Sequence, residues 1–311
     1  MSKTALLFAG QGAQVVGMGR DLAEAYPSAK AIFERANAAL GYDLAAICFE
    51  GPEAELTRTG HAQPGIYLVS WVALELLRER VPGLRFEATA GLSLGELTAL
   101  AAAGVFRFED GLRVVRQRGV FMQEACETTQ GAMAAIIGLE EGPTREVCVE
   151  AGVELANLNC PGQLVISGET AAVARACELA KARGAKRALP LAVAGAYHSR
   201  LMASAQPKLA AELVRIALQP PAVPVISNVT AQPHGSPPEI AARLVEQVTA
   251  PVRWEASMRY LLALGFTRFI ELGPGTALTG FMKRIEKGAQ VLSVSDRASL
   301  EATVQALTAQ G

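Results

Sequence analysis

The segment ATAGLSLGELTAL (residues 88–100) places Ser93 between two glycines, after one apolar run and before another. The pattern predicts a short strand over 86–91 and a helix over 95–105. A strand, a sharp Gly-x-Ser-x-Gly turn and a helix are the context that a nucleophile elbow requires. A serine hydroxyl is a weak nucleophile without an adjacent base, so Ser93 needs a partner from elsewhere in the chain.

The segments on either side of the elbow predict a large α/β unit. TALLFAG (4–10) is typical of a buried strand and leads into the glycine-rich loop GQGAQ. Residues 21–40 predict a helix that breaks at Tyr26-Pro27. Residues 63–81 predict a largely buried helix, because apolar residues nearly encircle it. Downstream, larger α/β elements return in VPVISNV, EIAARLV and FTRFIELGPG.

A smaller module lies between these two halves. From Gly131 the pattern becomes strand, helix, strand, strand, helix, strand over about 65 residues, the βαββαβ order of a ferredoxin-like module. Its strands are predicted in GAMAAIIGL, VELANLN, QLVISG and AKRALPLAVA. We therefore predict an α/β protein with a large domain formed by residues 1–127 and 198–311 and an inserted subdomain formed by residues 128–197.

Composition and charge exclude several classes of protein. Half of the 311 residues are apolar, and 29 Lys and Arg nearly balance 30 Asp and Glu, which predicts neither nucleic-acid nor membrane-surface binding. Five scattered cysteines without C-x-x-C spacing predict free thiols in a reducing compartment, and no metal site is predicted. The N-terminal apolar stretch is too short for a signal peptide and no apolar run of 18 residues follows, so we expect a cytoplasmic protein.

The chain contains three histidines that are candidates for the base. His61 precedes a predicted helix, where capping or a surface contact explains it, and His234 lies in AQPHGSPPE (231–239), which predicts a surface turn. His198 has small neighbours in AVAGAYHSRLM and follows Ser93 in the chain, as in α/β-hydrolases. Its position fits a structural role as well as a catalytic one. No nearby acidic residue is evident to orient its ring, and a backbone carbonyl would serve instead.

Acyl transfer also requires hydrogen-bond donors for the developing oxyanion. The backbone N–H of Leu94, directly after the serine, is one candidate. The loop FAGQGAQ (8–14) is a second source, because its glycines allow close approach. A phosphate-binding loop is a rival interpretation, but no GK[ST] follows, and an ordinary tight turn stays open.

Arg118 lies in EDGLRVVRQRGVFMQEA, where helical spacing puts it on one stripe with Val114, Phe121 and Ala125. A buried arginine is costly unless an anion meets it. That anion is either the carboxylate of a structural ion pair or a substrate carboxylate held by the guanidinium fork. The spacing alone leaves both open.

Nine motifs follow one another between Leu6 and Ile285: GQGAQ, GLSLGE, QRGVFMQEA, GAMAAIIGL, NCPGQLVISG, GAYHSRLM, SNVTA, VRW and ELGPGTALTG. In this order they resemble the motifs of the malonyl-CoA:acyl carrier protein transacylases. The resemblance implies an α/β-hydrolase-like large domain with a ferredoxin-like insert. It also implies a ping-pong transfer of malonyl from coenzyme A to the phosphopantetheine thiol of acyl carrier protein, for fatty acid biosynthesis. A discrete acyltransferase of a polyketide synthase is the alternative.

The resemblance also implies residue roles. Ser93 would attack the malonyl thioester with His198 as general base. Arg118 would hold the free carboxylate of the malonyl group. The main-chain carbonyl of Gln247 would orient His198, which answers the absence of an acidic partner.

The remaining implied residues surround the nucleophile. The backbone N–H groups of Gln11 and Leu94 would form the oxyanion hole, and Asn159 would lie in an Asn-rich loop near the site. Malonyl-CoA enters as a substrate, with no cofactor or metal beside it. The expected partner is acyl carrier protein, and the protein is expected to be a monomer.

Two positions depart from the family pattern. Leu92 stands where the family usually has a histidine before the nucleophile, and Tyr197 stands where the malonyl-associated GAFH form has phenylalanine. The histidine at position 92 is not the base in the family, so its loss is not expected to abolish the chemistry. Tyrosine keeps the aromatic ring and adds a hydroxyl, so malonyl is the expected acyl group, with methylmalonyl or another extender unit as the alternative.

Two rival functions and one basic surface segment also follow from the sequence. A serine hydrolase shares the elbow, base and oxyanion hole, but it has no need of Arg118. A non-catalytic scaffold conflicts with the intact set of candidate residues. Because carrier proteins are generally acidic, the basic run KARGAKR is a candidate docking patch, and an ordinary solvated helix end is the alternative. Its basic residues are Lys181, Arg183, Lys186 and Arg187.

Overall fold

The computed structural model describes residues 3–309. In this range the strands are β1 (Lys3–Phe8), β2 (Ala88–Gly91), β3 (Gly131–Ile137), β4 (Glu154–Cys160), β5 (Gln163–Glu169), β6 (Arg187–Pro190), β7 (Val225–Ile226), β8 (Phe266–Leu272) and β9 (Gln290–Val294). The helices are α1 (Arg20–Ala25), α2 (Pro27–Leu40), α3 (Leu44–Glu50), α4 (Glu53–Leu56), α5 (Thr59–Arg80), α6 (Leu94–Ala102), α7 (Phe108–Glu127), α8 (Glu141–Ala151), α9 (Thr170–Ala182), α10 (Ala205–Leu213), α11 (Pro237–Gln247), α12 (Trp254–Ala263), α13 (Ala277–Ile285) and α14 (Arg297–Thr308).

A parallel sheet of five strands forms the centre, in the order β7-β2-β1-β8-β9. All residues of β2 and all but the first residue of β1 are buried. Such continuous burial is typical of a parallel sheet covered by helices on both faces. Phe8 at the end of β1 pairs with Gly91 at the end of β2, so the glycine-rich loop and the elbow leave the sheet side by side.

A separate antiparallel sheet has the order β4-β5-β3-β6. Helices α8 and α9 pack against it around a core drawn entirely from residues 132–188. The succession β3-α8-β4-β5-α9-β6 is the one predicted from the sequence. A bridge between Asn157 and Val252 connects this sheet to the rest of the chain. The protein is thus a mixed α/β structure with one parallel and one antiparallel sheet.

Most predicted elements are confirmed, with shifted ends. The break predicted at Tyr26-Pro27 separates α1 from α2, and the long helix predicted from residue 63 already begins at Thr59. The strand predicted in AKRALPLAVA spans only Arg187–Pro190, because residues 191–194 leave the sheet to line a cleft.

All five cysteines are buried free thiols, as predicted. Between residues 3 and 309, no helix is both long and apolar enough to cross a membrane.

Candidate active site

Ser93 lies on a strained turn between β2 and α6. Its backbone has φ 54° and ψ −103°, in a region that non-glycine residues rarely adopt. A Cβ atom on Gly91 would lie 1.9 Å from the carbonyl oxygen of Gly95, and one on Gly95 would lie 2.2 Å from that of Phe8. The two glycines therefore allow strand, turn and helix to approach closely enough to present Ser93 at the end of the sheet.

His198 is the histidine that reaches Ser93. Its Nε2 lies 2.8 Å from Ser93 Oγ, and the ring is buried. Nδ1 lies 2.9 Å from the main-chain oxygen of Gln247 and 3.1 Å from that of Ala250. Carbonyl oxygens only accept hydrogen bonds, so Nδ1 carries the proton and Nε2 accepts from the serine hydroxyl.

Burial keeps the imidazole of His198 neutral. Its pKa falls from 6.5 to about 4, chiefly because the ring is desolvated and secondly because the Arg118 guanidinium disfavours a second positive charge. The two carbonyls favour protonation but do not reverse the shift. At neutral pH the ring is therefore free to take a proton from Ser93.

Arg118 projects from α7 into the same site and is 1% exposed. Its guanidinium donates to Gln63 Oε1 at 2.7 Å, to Gln247 Oε1 at 2.8 Å and to Ser93 Oγ at 3.1 Å. All three acceptors are neutral, and within residues 3–309 Nε is buried without an acceptor. The structural ion pair left open by the sequence is therefore not formed by the described residues. Burial lowers the pKa of Arg118 to about 10, so the group stays charged at neutral pH.

Two backbone N–H groups near the nucleophile are unused. In the described part of the chain, those of Gln11 and Leu94 donate to no acceptor. Leu94 is the first residue of α6, so its N–H has no partner inside the helix. Gln11 follows β1 in a loop that lines the same cleft as Ser93. Unused donors beside a nucleophile are what an oxyanion hole requires.

The side chain of Gln11 is held at both ends. Its Nε2 donates to the Tyr197 hydroxyl at 3.2 Å, and its Oε1 accepts from Gln63 Nε2 at 3.2 Å. The Tyr197 hydroxyl also shares a 2.5 Å hydrogen bond with Thr59. Burial raises the pKa of Tyr197 to about 12, so the phenol stays protonated. Because Gln63 also binds Arg118, a continuous hydrogen-bonded chain joins the guanidinium to the Gln11 loop.

The site opens into a cleft of about 600 Å³ with residues of both sheets along its walls. Asn159 lies on the wall formed by the antiparallel sheet, buried, with no hydrogen-bond partner for its Oδ1 among residues 3–309. Its neighbours along this wall are mainly apolar: Met133, Val165, Leu191 and Val193. The expectation that Asn159 lies in a loop is wrong, because the residue belongs to strand β4, but it does line the same cleft as Ser93.

Sequence reasoning missed Gln63, Asn228 and Glu96. Asn228 Oδ1 accepts from the backbone N–H of Ser93 at 2.6 Å, and its Nδ2 donates to the carbonyl of Gly91 at 2.8 Å. Glu96 is fully buried, and its Oε2 accepts from the N–H of Asn228 and from the Gln247 amide. A sequence signal existed for Glu96, which is the one charged residue in the mainly apolar helix LGELTALAA.

The other two histidines occupy different environments. The expectation that His234 has no role in a surface turn is wrong, since its ring is buried and Nε2 lies 2.6 Å from Glu96 Oε1. The turn around it is largely exposed, but this one side chain points inward because the buried carboxyl needs a donor. His61 does not line the cleft and contacts Glu55 at 3.0 Å, as expected for a surface contact.

The predicted basic patch is partly neutralised. Lys181 pairs with Glu178 at 2.8 Å, and Arg183 pairs with Glu150. Lys186 and Arg187 form no ion pair with any described residue. Two of the four charges therefore remain available to an acidic partner.

A serine with a neutral histidine, unused N–H donors and a buried cation without a carboxylate is an arrangement suited to acyl transfer with an acidic acyl group. Comparison with known proteins agrees: the acyl transferase domain family matches residues 5–301, and the chain belongs to this family.

Individual relatives are similar over nearly their whole length. The malonyl CoA-acyl carrier protein transacylase of Bacillus subtilis (strain 168) is 46% identical, over 99% of this chain and 98% of the relative. The structure of the malonyl CoA-acyl carrier protein transacylase from Coxiella burnetii aligns with a TM-score of 0.95 and 36% identity, over 99% and 98% of the two chains. A malonyl-transacylase in complex with a type II PKS acyl-carrier protein aligns with a TM-score of 0.95 and 41% identity, over 98% of this chain and 100% of that chain.

Proposed function

We propose that the protein is a malonyl-CoA:acyl carrier protein S-malonyltransferase. It moves a malonyl group from coenzyme A to the phosphopantetheine thiol of acyl carrier protein through a Ser93 acyl-enzyme. The family membership and the names of the relatives support the reaction class. The single observation that carries the choice of acyl group is Arg118, a buried guanidinium with only neutral partners among the described residues.

In the first half-reaction, Ser93 Oγ attacks the thioester carbonyl carbon while His198 Nε2 takes the hydroxyl proton. The negative charge on the carbonyl oxygen is stabilised by the N–H groups of Gln11 and Leu94. Collapse of the tetrahedral intermediate breaks the C–S bond, and His198 returns its proton to the departing thiolate. The products are free coenzyme A and a malonyl ester of Ser93.

The second half-reaction reverses these steps with a new thiol. His198 deprotonates the phosphopantetheine thiol of the carrier protein, and the thiolate attacks the Ser93 ester. The carbonyls of Gln247 and Ala250 keep the proton of the ring on Nδ1 throughout, so Nε2 is always the atom that exchanges protons. The ester C–O bond breaks and Ser93 recovers its proton from His198.

Arg118 separates this reaction from simple ester hydrolysis. The free malonyl carboxylate forms charge-assisted hydrogen bonds with the guanidinium, which a hydrolase of neutral esters does not need. We place Asn159 on the opposite wall as a substrate contact, supported by its unpartnered amide oxygen.

We further propose how the chain is organised. Residues 1–127 and 198–311 form the α/β-hydrolase-like domain, and residues 128–197 form the ferredoxin-like insert, supported by the strand–helix order of each. The enzyme acts as a cytoplasmic monomer. It uses no cofactor, and malonyl-CoA is its substrate. Fatty acid biosynthesis is the pathway that we propose, supported by the similarity to a B. subtilis relative named for malonyl CoA and acyl carrier protein. A discrete polyketide acyltransferase is the second candidate, favoured by the structural neighbour bound to a type II PKS acyl-carrier protein.

The test is intact-protein mass spectrometry after brief mixing with equal malonyl-CoA and acetyl-CoA, beside Ser93→Ala. One malonyl adduct on the parent, absent from the variant, is expected. Steady release of free malonate without an adduct would indicate a hydrolase. The absence of both an adduct and turnover would contradict malonyl transfer.

A further inference from the structure

The buried charge of Arg118 is compensated indirectly. Its three hydrogen bonds leave Nε–H and one Nη1–H of the five N–H groups without an acceptor in the described chain. A buried cation without compensation is strongly unfavourable. The negative charge that acts on it is that of Glu96, which raises the pKa of Arg118 against the effect of burial.

Both oxygens of Glu96 form hydrogen bonds. Oε2 accepts from the Asn228 N–H at 3.0 Å and from Gln247 Nε2 at 2.7 Å, and both of these groups can only donate. Oε1 lies 2.6 Å from His234 Nε2, and the side chains of both residues are 0% exposed. Three hydrogen bonds therefore hold the Glu96 carboxyl group in place.

The amide of Gln247 stands between the two charges. Its Oε1 accepts from Arg118 Nη2 at 2.8 Å, while its Nε2 donates to Glu96 Oε2 at 2.7 Å and to the carbonyl of Ser93 at 3.0 Å. The residue is 0% exposed, so its amide cannot turn away into solvent. An amide side chain can accept from a cation at one atom and donate to a carboxylate at another.

We infer that the Gln247 side chain is a spacer that keeps Glu96 from pairing directly with Arg118. This inference rests on the proposed function and adds to it the control of malonyl selection. Glu96 balances the guanidinium in the free enzyme, while the spacer leaves N–H groups of Arg118 for the substrate carboxylate. When the malonyl carboxylate arrives, Glu96 acts as a like charge near it and limits how strongly it is held.

Glu96 and Gln247 are therefore positioning residues that adjust selectivity through Arg118. If so, removing the Glu96 charge should favour malonyl over acetyl transfer. Removing the spacer should do the opposite, because Arg118 would then close on Glu96. If the two residues had a purely structural role, the rates with malonyl-CoA and acetyl-CoA would fall by the same factor.

The first test compares Glu96→Gln with Glu96→Asp and measures kcat/KM for malonyl-CoA and acetyl-CoA in Ser93 acylation. Glu96→Gln should raise the malonyl-to-acetyl ratio about fivefold, even if both rates fall, because like-charge repulsion is removed. Glu96→Asp keeps the charge but shortens the side chain, so its ratio should stay within about twofold of the parent. Equal ratios for the two variants would overturn the inference.

The second test is Gln247→Ala, which removes the side chain between the two charges but keeps the main-chain carbonyl that binds His198. Its malonyl-to-acetyl ratio should fall about tenfold, since the guanidinium would be neutralised by a direct ion pair. An unchanged ratio would overturn the spacer role, and this holds even if Glu96→Gln does not fold. In an Arg118→Ala background, Glu96→Gln should leave the ratio unaltered, and a persisting effect would contradict action through Arg118.

Measurements on the parent enzyme distinguish a failure of the proposed function from a failure of the spacer inference. If it forms no malonyl ester, the proposed function fails. If it forms the ester with a malonyl preference but the Glu96 and Gln247 variants keep that preference, only the spacer inference fails.

Discussion

The two walls of the cleft are built differently. The catalytic wall carries Ser93 and His198, with the buried side chains of Arg118 and Gln247 hydrogen-bonded to Ser93, and nearly all of these polar atoms are held by named hydrogen bonds. The insert wall, defined above by Asn159, Met133, Val165, Leu191 and Val193, is mainly apolar, and Leu191 and Val193 are 37% and 38% exposed.

The difference between the walls indicates which groups must be accurately positioned before the substrate binds. Groups that exchange protons or stabilise charge must be in place before the substrate arrives, because reorganisation during the reaction adds to the barrier. A wall that shapes the cleft and limits water needs only suitable volume and polarity. We therefore expect the effects of substitutions to decrease from the catalytic wall to the insert wall.

Replacing the base should have the largest effect. His198→Ala removes the proton acceptor at 2.8 Å from Ser93 and should lower the acylation rate about 10³-fold. Single-turnover acylation by malonyl-CoA measures it. On the insert wall, Val193→Ala is the matched control and should change the rate less than about twofold. Equal losses in the two variants would remove the distinction between the walls.

Removing the guanidinium should change selectivity more than rate. Arg118→Ala is expected to lower the malonyl-to-acetyl preference about 100-fold and to increase acetyl transfer, because the carboxylate loses its charge-assisted partner. Competition between the two donors, read by mass, gives the ratio. Arg118→Lys keeps the charge without the fork and should retain part of the preference. Equal decreases in the transfer rates from malonyl-CoA and acetyl-CoA would argue against carboxylate binding by Arg118.

The Tyr197 hydroxyl tests how far preorganisation extends from the nucleophile. Tyr197→Phe removes one of the two hydrogen bonds that hold the Gln11 side chain, which should lower kcat about tenfold for malonyl and acetyl alike, since the loop carrying an oxyanion donor is held less firmly. The selectivity ratio should not move. Tyr26→Phe serves as the control, because it removes a hydroxyl that is bound to Glu301 and does not line the cleft. A changed ratio with unchanged kcat would assign Tyr197 to substrate selection instead.

On the insert wall, the polar exception is Asn159. Asn159→Ala removes an unpartnered amide oxygen and should raise KM about threefold with little change in kcat, as expected for a substrate contact made equally in the ground and transition states. Steady-state kinetics with malonyl-CoA measure both constants. A fall in kcat as large as that of Tyr197→Phe would place Asn159 among the catalytic groups.

The smallest predicted change concerns pH. His198 must be neutral to act, and its lowered pKa of about 4 means that activity is kept as pH falls and is lost only near that value. Between pH 8 and pH 6, kcat/KM should change less than about twofold, whereas an ordinary histidine would be mostly protonated at pH 6. Thermal unfolding at each pH controls for loss of structure. Half-loss near pH 6.5 would mean that the ring is not desolvated.

Much of the fold was predictable because it depends on local patterns. Apolar runs ending in glycine identified β1 and β2, and the change of rhythm after Gly131 identified the antiparallel module in its correct order. The elbow was predictable for the same reason, since a small residue is required on each side of Ser93. His198 and Arg118 were found by elimination and by helical spacing, but their roles stayed open.

The juxtapositions were not predictable from those patterns. Asn228 meets Ser93 across 135 residues of chain, and Gln247 meets it across 154. Asn228 lies beside Ser93 because it follows β7, which pairs with β2 in the parallel sheet, whereas Gln247 is placed there as the last residue of α11. The inward position of His234 has the same origin, since only the folded chain shows that Glu96 lies beneath the turn.

Local sequence patterns were sufficient to predict most of the elements, the sharp turn at Ser93 and the types of residue that carry the chemistry, because each depends on near neighbours in the chain. The resemblance to a family added the Gln247 carbonyl, but three features come from the folded chain alone: the second carbonyl, of Ala250, that holds the imidazole, the lack of a direct carboxylate for Arg118 among residues 3–309, and the amide that separates Arg118 from Glu96. Hydrogen bonds and charge balance depend on distances of a few ångström, which are set by packing between elements and not by spacing along the chain.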